Sequence, residues 1–183
     1  MTLNTVKGFL DNTEGKELAK VAKQCSKLGP CLEIGTYCGK SALIMGSVCK
    51  KNKNILFTVD HHTGSEEHQL GEEYHDSDLF DQNISCFNSL PEFLKNLRES
   101  NLANFVLPIV ADSENISKNW KIPLGMVFID GGHSRESANA DYTNWVPHIV
   151  KNGFLLIHDV FPNPKDGGRP PYEIFCKAKE SGN

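Results

Sequence analysis

The chain has 183 residues, of which 39% are hydrophobic and 23% are charged. This composition is typical of a folded globular protein and excludes disordered and fibrous classes. The length predicts a single domain over residues 1–183 with one hydrophobic core. A formal net charge of −4, without a basic stripe, argues against a nucleic-acid partner. No signal-peptide pattern or membrane-spanning apolar run is visible, so we expect a cytoplasmic location and no membrane partner.

Buried strands and amphipathic helices alternate along the chain. Apolar residues at helical spacing follow a predicted N-cap at Thr13 and stop at Gly29-Pro30. Further helices are predicted over residues 40–49, 89–100 and 134–145, with a last one beginning near Tyr172. The second of these is expected to start with a capping box of Ser89 and Glu92. Short apolar runs that predict strands cover residues 31–34, 55–59, 105–110, 124–129 and 154–157.

This alternation predicts an α/β fold, a Rossmann-like doubly wound and mainly parallel sheet with helices on both faces. The expected strand order is 3-2-1-4-5, which places the third strand at an edge. Pro108 lies in that strand, and an edge position suits a residue that cannot donate to a strand ladder. Residues 63–85 are polar and aperiodic and are predicted to form a lid, whereas the proline-rich residues 161–171 are predicted to form a rigid loop.

A glycine turn joins the first strand to the second helix. Its sequence, from Glu33 to Ser41, contains Gly35 and Gly39. A P-loop would need a glycine at Ile34, and the turn has no G-x-G-x-x-G triplet of a dinucleotide site. Glu33 would repel a pyrophosphate and attract an ammonium group.

Polar residues stand where each of the other predicted strands ends. Asp60 follows the second strand, where a carboxylate usually holds a ribose diol. The third, fourth and fifth strands end in Ala111-Asp112-Ser113, Asp130-Gly131-Gly132-His133 and His158-Asp159. Because ligands of open α/β sheets bind at the carboxyl ends of strands, all these groups are expected at one site.

Together these motifs resemble the class I S-adenosylmethionine (SAM) dependent methyltransferases, and more narrowly an uncharacterised bacterial-type branch of them. The resemblance covers residues 31–175, including the lid start His61-His62-Thr63-Gly64-Ser65 and the loop Gly167-Gly168-Arg169. It implies methyl transfer from SAM to an oxygen, or less favourably a nitrogen, of a small-molecule acceptor. Members of the fold usually end in two antiparallel strands, and we expect this chain either to lack them or to complete that edge of the sheet in another way.

The resemblance also implies roles for individual residues. The methionine part of SAM would lie near Glu33, Gly35, Thr36, Tyr37 and Gly39, with its carboxylate near Ser41. Asp60, with His61 beside it, would hold the ribose, and Asp112 and Ser113 would flank the adenine. Asp130 and His133 are the candidate catalytic residues. Asp130, His158 and Asp159 are candidate ligands of a divalent metal, Mg²⁺ or Mn²⁺.

Other interpretations remain open from the sequence. Asp112 also suits a helix N-cap, and His133 also suits a hydrogen bond within its own turn. The histidines of the lid are expected to be solvated rather than zinc-bound, and Trp120 and Trp145 to be packing residues. Without a metal, His133 would be the general base and His158-Asp159 a structural pair. The alternative functions are an NAD-dependent or other nucleotide-binding Rossmann enzyme and a non-catalytic SAM-binding domain. A homo-oligomer is compatible with the sequence, which does not identify the acceptor.

Overall fold

The computed structural model describes residues 5–69, 71 and 75–181. The strands in chain order are β1 (Cys31–Ile34), β2 (Leu56–Asp60), β3 (Phe80–Asp81), β4 (Cys86–Phe87), β5 (Val106–Val110), β6 (Leu124–Ile129) and β7 (Ile149–Ile157). The helices are α1 (Asn12–Cys25), α2 (Lys40–Lys51), α3 (Leu90–Glu99), α4 (Ser113–Ser117), α5 (Arg135–Trp145) and α6 (Arg169–Ser181). Short 3₁₀ turns add Glu66–His68, Ser77–Leu79 and Val146–His148.

Five strands form one parallel sheet in the spatial order β5-β2-β1-β6-β7. This order confirms the predicted 3-2-1-4-5 topology. Ile34 at the end of β1 pairs with Val59 on one side and with Ile129 on the other, and Ile129 pairs with Ile157. The carboxyl ends of these four strands are therefore level, and the residues that follow them lie side by side.

Helices cover both faces of the sheet. The core on one face includes Ala22 of α1, Met45 of α2 and Phe93 of α3. The core on the other face includes Trp145 of α5 and Ile174 of α6. Burial on both faces explains why the strands are almost continuously apolar rather than alternating. The predicted edge position of Pro108 is confirmed, because β5 pairs only with β2 within the described sheet.

The structure corrects several predicted helix ends. Asp11, not Thr13, caps α1: its side chain accepts from the amides of Thr13 and Glu14, and Glu14 completes the capping box. Ser89 precedes α3 but makes no capping bond, because its hydroxyl pairs with the buried His62 ring instead. The last helix begins at Arg169 rather than near Tyr172, since prolines are well tolerated in a first helical turn.

The lid and the last strand contain more structure than their sequences indicate. Residues 63–85 form two 3₁₀ turns and, with residues 86–87, an antiparallel β3-β4 hairpin; residues 70 and 72–74 lie outside the described part. Strand β7 starts at Ile149, five residues earlier than predicted, with a register shift opposite Leu124 and Met126. In the described part of the chain no antiparallel strand joins the main sheet. No helix of the described residues is long and apolar enough to cross a bilayer.

Candidate functional site

A cavity of about 520 Å³ opens at the carboxyl ends of the strands. Its volume lies within the range of roughly 300–1,000 Å³ that is usual for small-molecule sites. Most of the residues predicted to bind a cofactor line it, namely Gly35, Thr36, Tyr37, Ser41, Asp60, His61, Asp112 and Ser113. The candidate catalytic residues Asp130 and His133 line it as well, together with His158 and Asp159.

Asp60 organises the glycine turn. Its Oδ2 accepts hydrogen bonds from the backbone amides of Thr36 (2.7 Å) and Tyr37 (3.0 Å), and Oδ1 accepts one from the amide of His62 (2.7 Å). Tyr37 and His62 have positive φ angles of 50° and 60°, a conformation that few residues other than glycine adopt without strain. The carboxylate therefore stabilises two strained positions at the cavity wall.

Glu33 and Gly39 do not line the cavity. Glu33 is fully buried behind the glycine turn, and neither carboxyl oxygen has a hydrogen bond of normal geometry. Gly39, at φ 90°, begins α2, and a Cβ there would lie 2.5 Å from the ring of Phe93. The predicted direct contact of these two residues with a ligand is therefore not supported by their positions.

Burial raises the pKa of Glu33 from its ordinary value of 4.5 to about 8, although the Ser41 hydroxyl opposes the shift. The folded protein thus holds a proton that the unfolded chain releases between these two pH values. We expect the free energy of unfolding to fall as pH rises from 4.5 to 8, by about 1.4 kcal/mol per unit at most. In urea unfolding, the free energy of unfolding of Glu33→Gln should fall much less steeply with pH. Glu17→Gln, on the exposed face of α1, should show the pH dependence of the wild type. Equal slopes in all three proteins would contradict the buried, protonated state.

The end of the cavity near β5 contains a buried hydrogen-bond chain. Ser113 donates to Oδ1 of Asp141 (2.6 Å) and accepts from Nε1 of Trp145 (2.8 Å). Asp112 caps α4 by accepting from the amide of Asn115, so that the N-cap interpretation of Asp112 is confirmed although the residue also lines the cavity. No sequence pattern marks Asp141 as a buried residue, because a single aspartate in a helix is usually exposed.

Two aspartates and two histidines form an ionic cluster at the ends of β6 and β7. Nδ1 of His158 lies 3.0 Å from Oδ1 of Asp130 and 3.0 Å from Oδ2 of Asp159. Nε2 of His133 lies 3.1 Å from the same Asp159 oxygen, and Nε2 of His158 lies 3.5 Å from Glu14 of α1. Asp159 has a positive φ of 53°, which is a strained conformation often found at functional sites.

Mutual contact determines the charges in this cluster. Burial by itself lowers the pKa of His158, but Asp130 and Asp159 reverse this effect and raise it to about 11. For Asp159, burial is outweighed by His133 and His158, which hold its pKa far below the usual range. Burial raises the pKa of Asp130. His158 and Asp159 thus form a pair of opposite charges beside the cavity.

The cluster also fits a divalent metal ion. One ligand atom each from Asp130, His158 and Asp159 lies within 4.8 Å of the others. Two carboxylate oxygens and one imidazole nitrogen suit first-row transition ions better than Mg²⁺, which prefers oxygen. The structure therefore places the three candidate ligands close together. That they bind a metal ion stays a prediction.

The lid histidines are not uniformly solvated. His62 is 2% exposed, with Nδ1 paired to Ser89 Oγ at 2.8 Å. Its ring stacks on Phe93, so the prediction of a solvated His62 is wrong. His61 is exposed and pairs with Thr63. The packing role of Trp120 and Trp145 is confirmed by their burial.

The N-terminal segment forms a cavity wall that the sequence did not predict. Residues 7–10 line the cavity, and Lys7 forms ion pairs with Asp76 (2.6 Å) and Asp78 (2.9 Å) of the lid. Asp76 also accepts a hydrogen bond from the Tyr37 hydroxyl. No local sequence pattern marks such contacts, because they join segments almost 70 residues apart.

The fold is that of a doubly wound α/β protein, and the cavity lies across the carboxyl ends of its central strands. The sequence model of a family described as methyltransferase domain matches residues 32–160. This range is more than two thirds of the chain, and the protein belongs to that family. The resemblance to methyltransferases that the sequence motifs indicated is thereby confirmed at the level of the family.

Solved structures of O-methyltransferases share the fold at low sequence identity. A protein from Staphylococcus aureus, provisionally assigned as a caffeoyl-CoA O-methyltransferase, is 16% identical with a TM-score of 0.59, over 86% of this chain and 62% of that one. TomG from Streptomyces achromogenes, in complex with SAM, is 14% identical with a TM-score of 0.62, over 94% and 70%. An O-methyltransferase from Bacillus cereus, in complex with SAH, is 16% identical with a TM-score of 0.62, over 97% and 73%. The chain thus spans less than two thirds of the first of these proteins.

Proposed function

We propose that the protein is a SAM-dependent methyltransferase that acts on an oxygen of a small molecule. One observation carries the proposal: the glycine turn held by Asp60 and the ionic cluster that contains Asp130 both line the same cavity. A cofactor held at the first and an acceptor held at the second would meet above β1 and β6. The O-methyltransferase neighbours in complex with SAM and SAH support this choice of donor. The net charge of −4 favours a small acceptor over a nucleic acid.

The cofactor would lie along the carboxyl ends of β2, β1 and β6. Asp60 has one spare lone pair, on Oδ1, for a ribose hydroxyl, because each oxygen of a carboxylate can accept two hydrogen bonds and backbone amides already take three of the four positions. The methionine part would follow the turn to Ser41, a cavity residue at the start of α2. The adenine would enter the end of the cavity near Ser113.

The acceptor would lie beside Asp130 and His133. Asp159 fixes the orientation of His133 through its contact with Nε2. The His133 imidazole is the group that takes up the hydroxyl proton as the oxygen attacks the methyl carbon. Holding donor and acceptor in line supplies most of the rate acceleration, on the order of 7–11 kcal/mol of the barrier.

A divalent ion held by Asp130, His158 and Asp159 would polarise the acceptor oxygen and lower the pKa of its hydroxyl group. In that case His133 would act from the rim of the site and receive the released proton. Without the ion, the His158 imidazolium would separate the two carboxylates, and His133 would act as the base alone. The ligand set favours Mn²⁺ over Mg²⁺.

Cofactor binding can be tested by thermal unfolding. We expect SAM and SAH to raise the melting temperature, because each binds the folded state alone, whereas NAD and ATP should leave it unchanged. A ligand at 100 times its Kd adds about 2.7 kcal/mol to the free energy of unfolding. Mass spectrometry under native conditions should detect co-purified SAM or SAH. A shift produced by NAD and not by SAM would replace the proposal with the NAD-dependent alternative.

Metal binding can be tested by calorimetry of chelator-treated protein in the presence of SAH. We expect Mn²⁺ to bind more tightly than Mg²⁺, and Asp159→Asn to weaken Mn²⁺ binding at least about tenfold by removing a charged ligand. Asp166→Asn is the matched control, because Asp166 lines the cavity outside the cluster. Absence of heat with wild-type protein at millimolar Mn²⁺ would exclude the metal and leave His133 as the sole base.

A further inference from the structure

The amino edge of the sheet, on the side opposite the cavity, differs in charge from the carboxyl edge. Asp60, Asp130 and Asp159 stand at the carboxyl ends of strands. None of the five segments that lead into the strands of the sheet contains an acidic residue. These segments are residues 26–30, 52–55, 100–105, 118–123 and 146–148. The steps above assign no role to this edge.

Five exposed lysines lie in these segments or at the ends of the helices that precede them. They are Lys23, Lys27, Lys51, Lys53 and Lys121. Asn52 Nδ2 donates to the backbone oxygen of Lys23 (3.1 Å). Asn54 Nδ2 donates to that of Gly29 (2.8 Å), so the turn after α2 packs on the end of α1. In the part of the chain that the structure describes, none of the five lysines forms an ion pair.

Two exposed apolar side chains lie among these lysines. Leu28 is 47% exposed and Ile122 is 41% exposed. Their segments touch, because a Cβ on Gly29 would lie 3.2 Å from the backbone oxygen of Pro123. Trp120 Nε1 donates to the backbone oxygen of Ile122 (2.7 Å) and fixes that segment. Single exposed apolar residues are common, but here two of them share a surface with the five lysines, which we call the amino-edge surface.

Helix dipoles offset only part of this positive charge. The helices α1, α2 and α3 end at the amino edge, and each helix end carries about half a negative charge. Glu99 ends α3, but Arg98 stands beside it. About one and a half negative charges therefore oppose five lysines. Lysine is a compact point charge that suits diffuse attraction, and arginine, which binds nucleic-acid phosphates in a bidentate manner, is not among the five.

We propose that the amino-edge surface binds the anionic headgroups of a lipid membrane, with Leu28 and Ile122 entering the headgroup layer. The cavity then faces away from the bilayer and stays open to solvent. The sequence shows no basic stripe, because these lysines lie in separate elements that meet only in the fold. A contact with the membrane surface needs no apolar run that spans a bilayer. The inference is independent of the proposed function.

The test is sedimentation of the whole chain with lipid vesicles. At about 0.1 M salt, vesicles with about 30% phosphatidylserine in phosphatidylcholine should bind the protein at least about tenfold more tightly than phosphatidylcholine alone. Raising the salt to about 0.5 M should weaken this binding at least about threefold, because the Debye length shortens.

Three variants locate the contact. The combined changes Lys27→Gln, Lys53→Gln and Lys121→Gln should weaken binding to anionic vesicles about 100-fold, which is about fivefold for each lysine. Leu28→Ala with Ile122→Ala keeps the charge and should weaken binding about tenfold. The control combines the same charge change at exposed positions nearer the carboxyl edge, namely Lys16→Gln, Lys95→Gln and Lys165→Gln. It should bind within about threefold of the wild type.

Several results would overturn the inference. Equal binding of the wild type to both kinds of vesicle, or binding to neither, would exclude an anionic lipid surface as the partner. A loss in the control equal to that in the lysine variant would mean that net charge, and not this surface, is responsible. Binding of a single-stranded oligonucleotide without binding to anionic vesicles would assign the surface to nucleic acid. The comparison of vesicles needs only the wild type, so it holds even where a variant fails to fold.

Discussion

Replacing Asp60 with alanine is expected to weaken SAH binding by roughly 10- to 100-fold, because the variant loses a charge-assisted hydrogen bond to the ribose worth about 1.5–3 kcal/mol. The same change removes the acceptor for the amides of Thr36, Tyr37 and His62. The free protein should therefore also melt at a lower temperature. Calorimetric titration with SAH, at a temperature well below the melting point of the variant, measures the loss.

Two further variants separate binding from folding. Asp60→Asn keeps one acceptor oxygen and should lose less affinity and less stability than Asp60→Ala. Glu180→Ala removes an exposed carboxylate of α6 outside the cavity and should bind SAH like the wild type. If the stabilisation by SAH is undiminished in Asp60→Ala, then Asp60 holds the turn and does not contact the ribose.

Replacing Gly35 with alanine is expected to destabilise the fold by on the order of 3–5 kcal/mol. A Cβ at this position would lie 2.1 Å from the backbone oxygen of Asp130 and 2.7 Å from Cα of Gly131. Backbone atoms of the neighbouring strand end cannot rotate away as a side chain can. Gly35 also has a φ of 81°, which adds about 1–2 kcal/mol for a residue with a side chain. Urea unfolding followed by circular dichroism measures the difference.

Gly71 provides the matched control. Its φ is 93°, and a Cβ built there meets nothing within 4 Å among the described atoms. Gly71→Ala should therefore show only the backbone strain, about 1–2 kcal/mol. If the two variants lose similar amounts of unfolding free energy, then β1 and β6 separate readily at the site. That result would contradict the close approach of the two strand ends at Gly35.

The sequence determined the fold class because its patterns are local. Continuous apolar runs such as β6 and the helical spacing between them require a parallel sheet covered on both faces. Pro108 indicated which strand lies at the edge of the sheet, because proline has no backbone N–H to donate to a neighbouring strand. Polar residues at strand ends, such as Asp60 and Asp130, could be assigned to one site because parallel strands bring their carboxyl ends to one edge.

Helix ends and burial were less predictable from local patterns. Ser89 has the spacing of a capping box, yet its hydroxyl is used by His62, which the β2-to-lid connection brings from 27 residues away. Glu33 looked like a ligand-binding carboxylate, but register within β1 directs it into the protein interior, where it is fully buried. Side-chain direction in a strand alternates between faces, so that a neighbouring position in sequence need not share the cavity.

By itself the sequence determined the order of the strands, the edge at which the ligand site lies and most of the polar residues that line it. Only the tertiary structure decided which of these groups touch: His133 and His158 share Asp159, and Ser113 is bound to Asp141. The reason is physical, because such contacts depend on distances between elements that are set by packing of the two cores. Residues 28 positions apart, such as Ser113 and Asp141, carry no mutual signal in one sequence, because they meet only when α5 packs against α4.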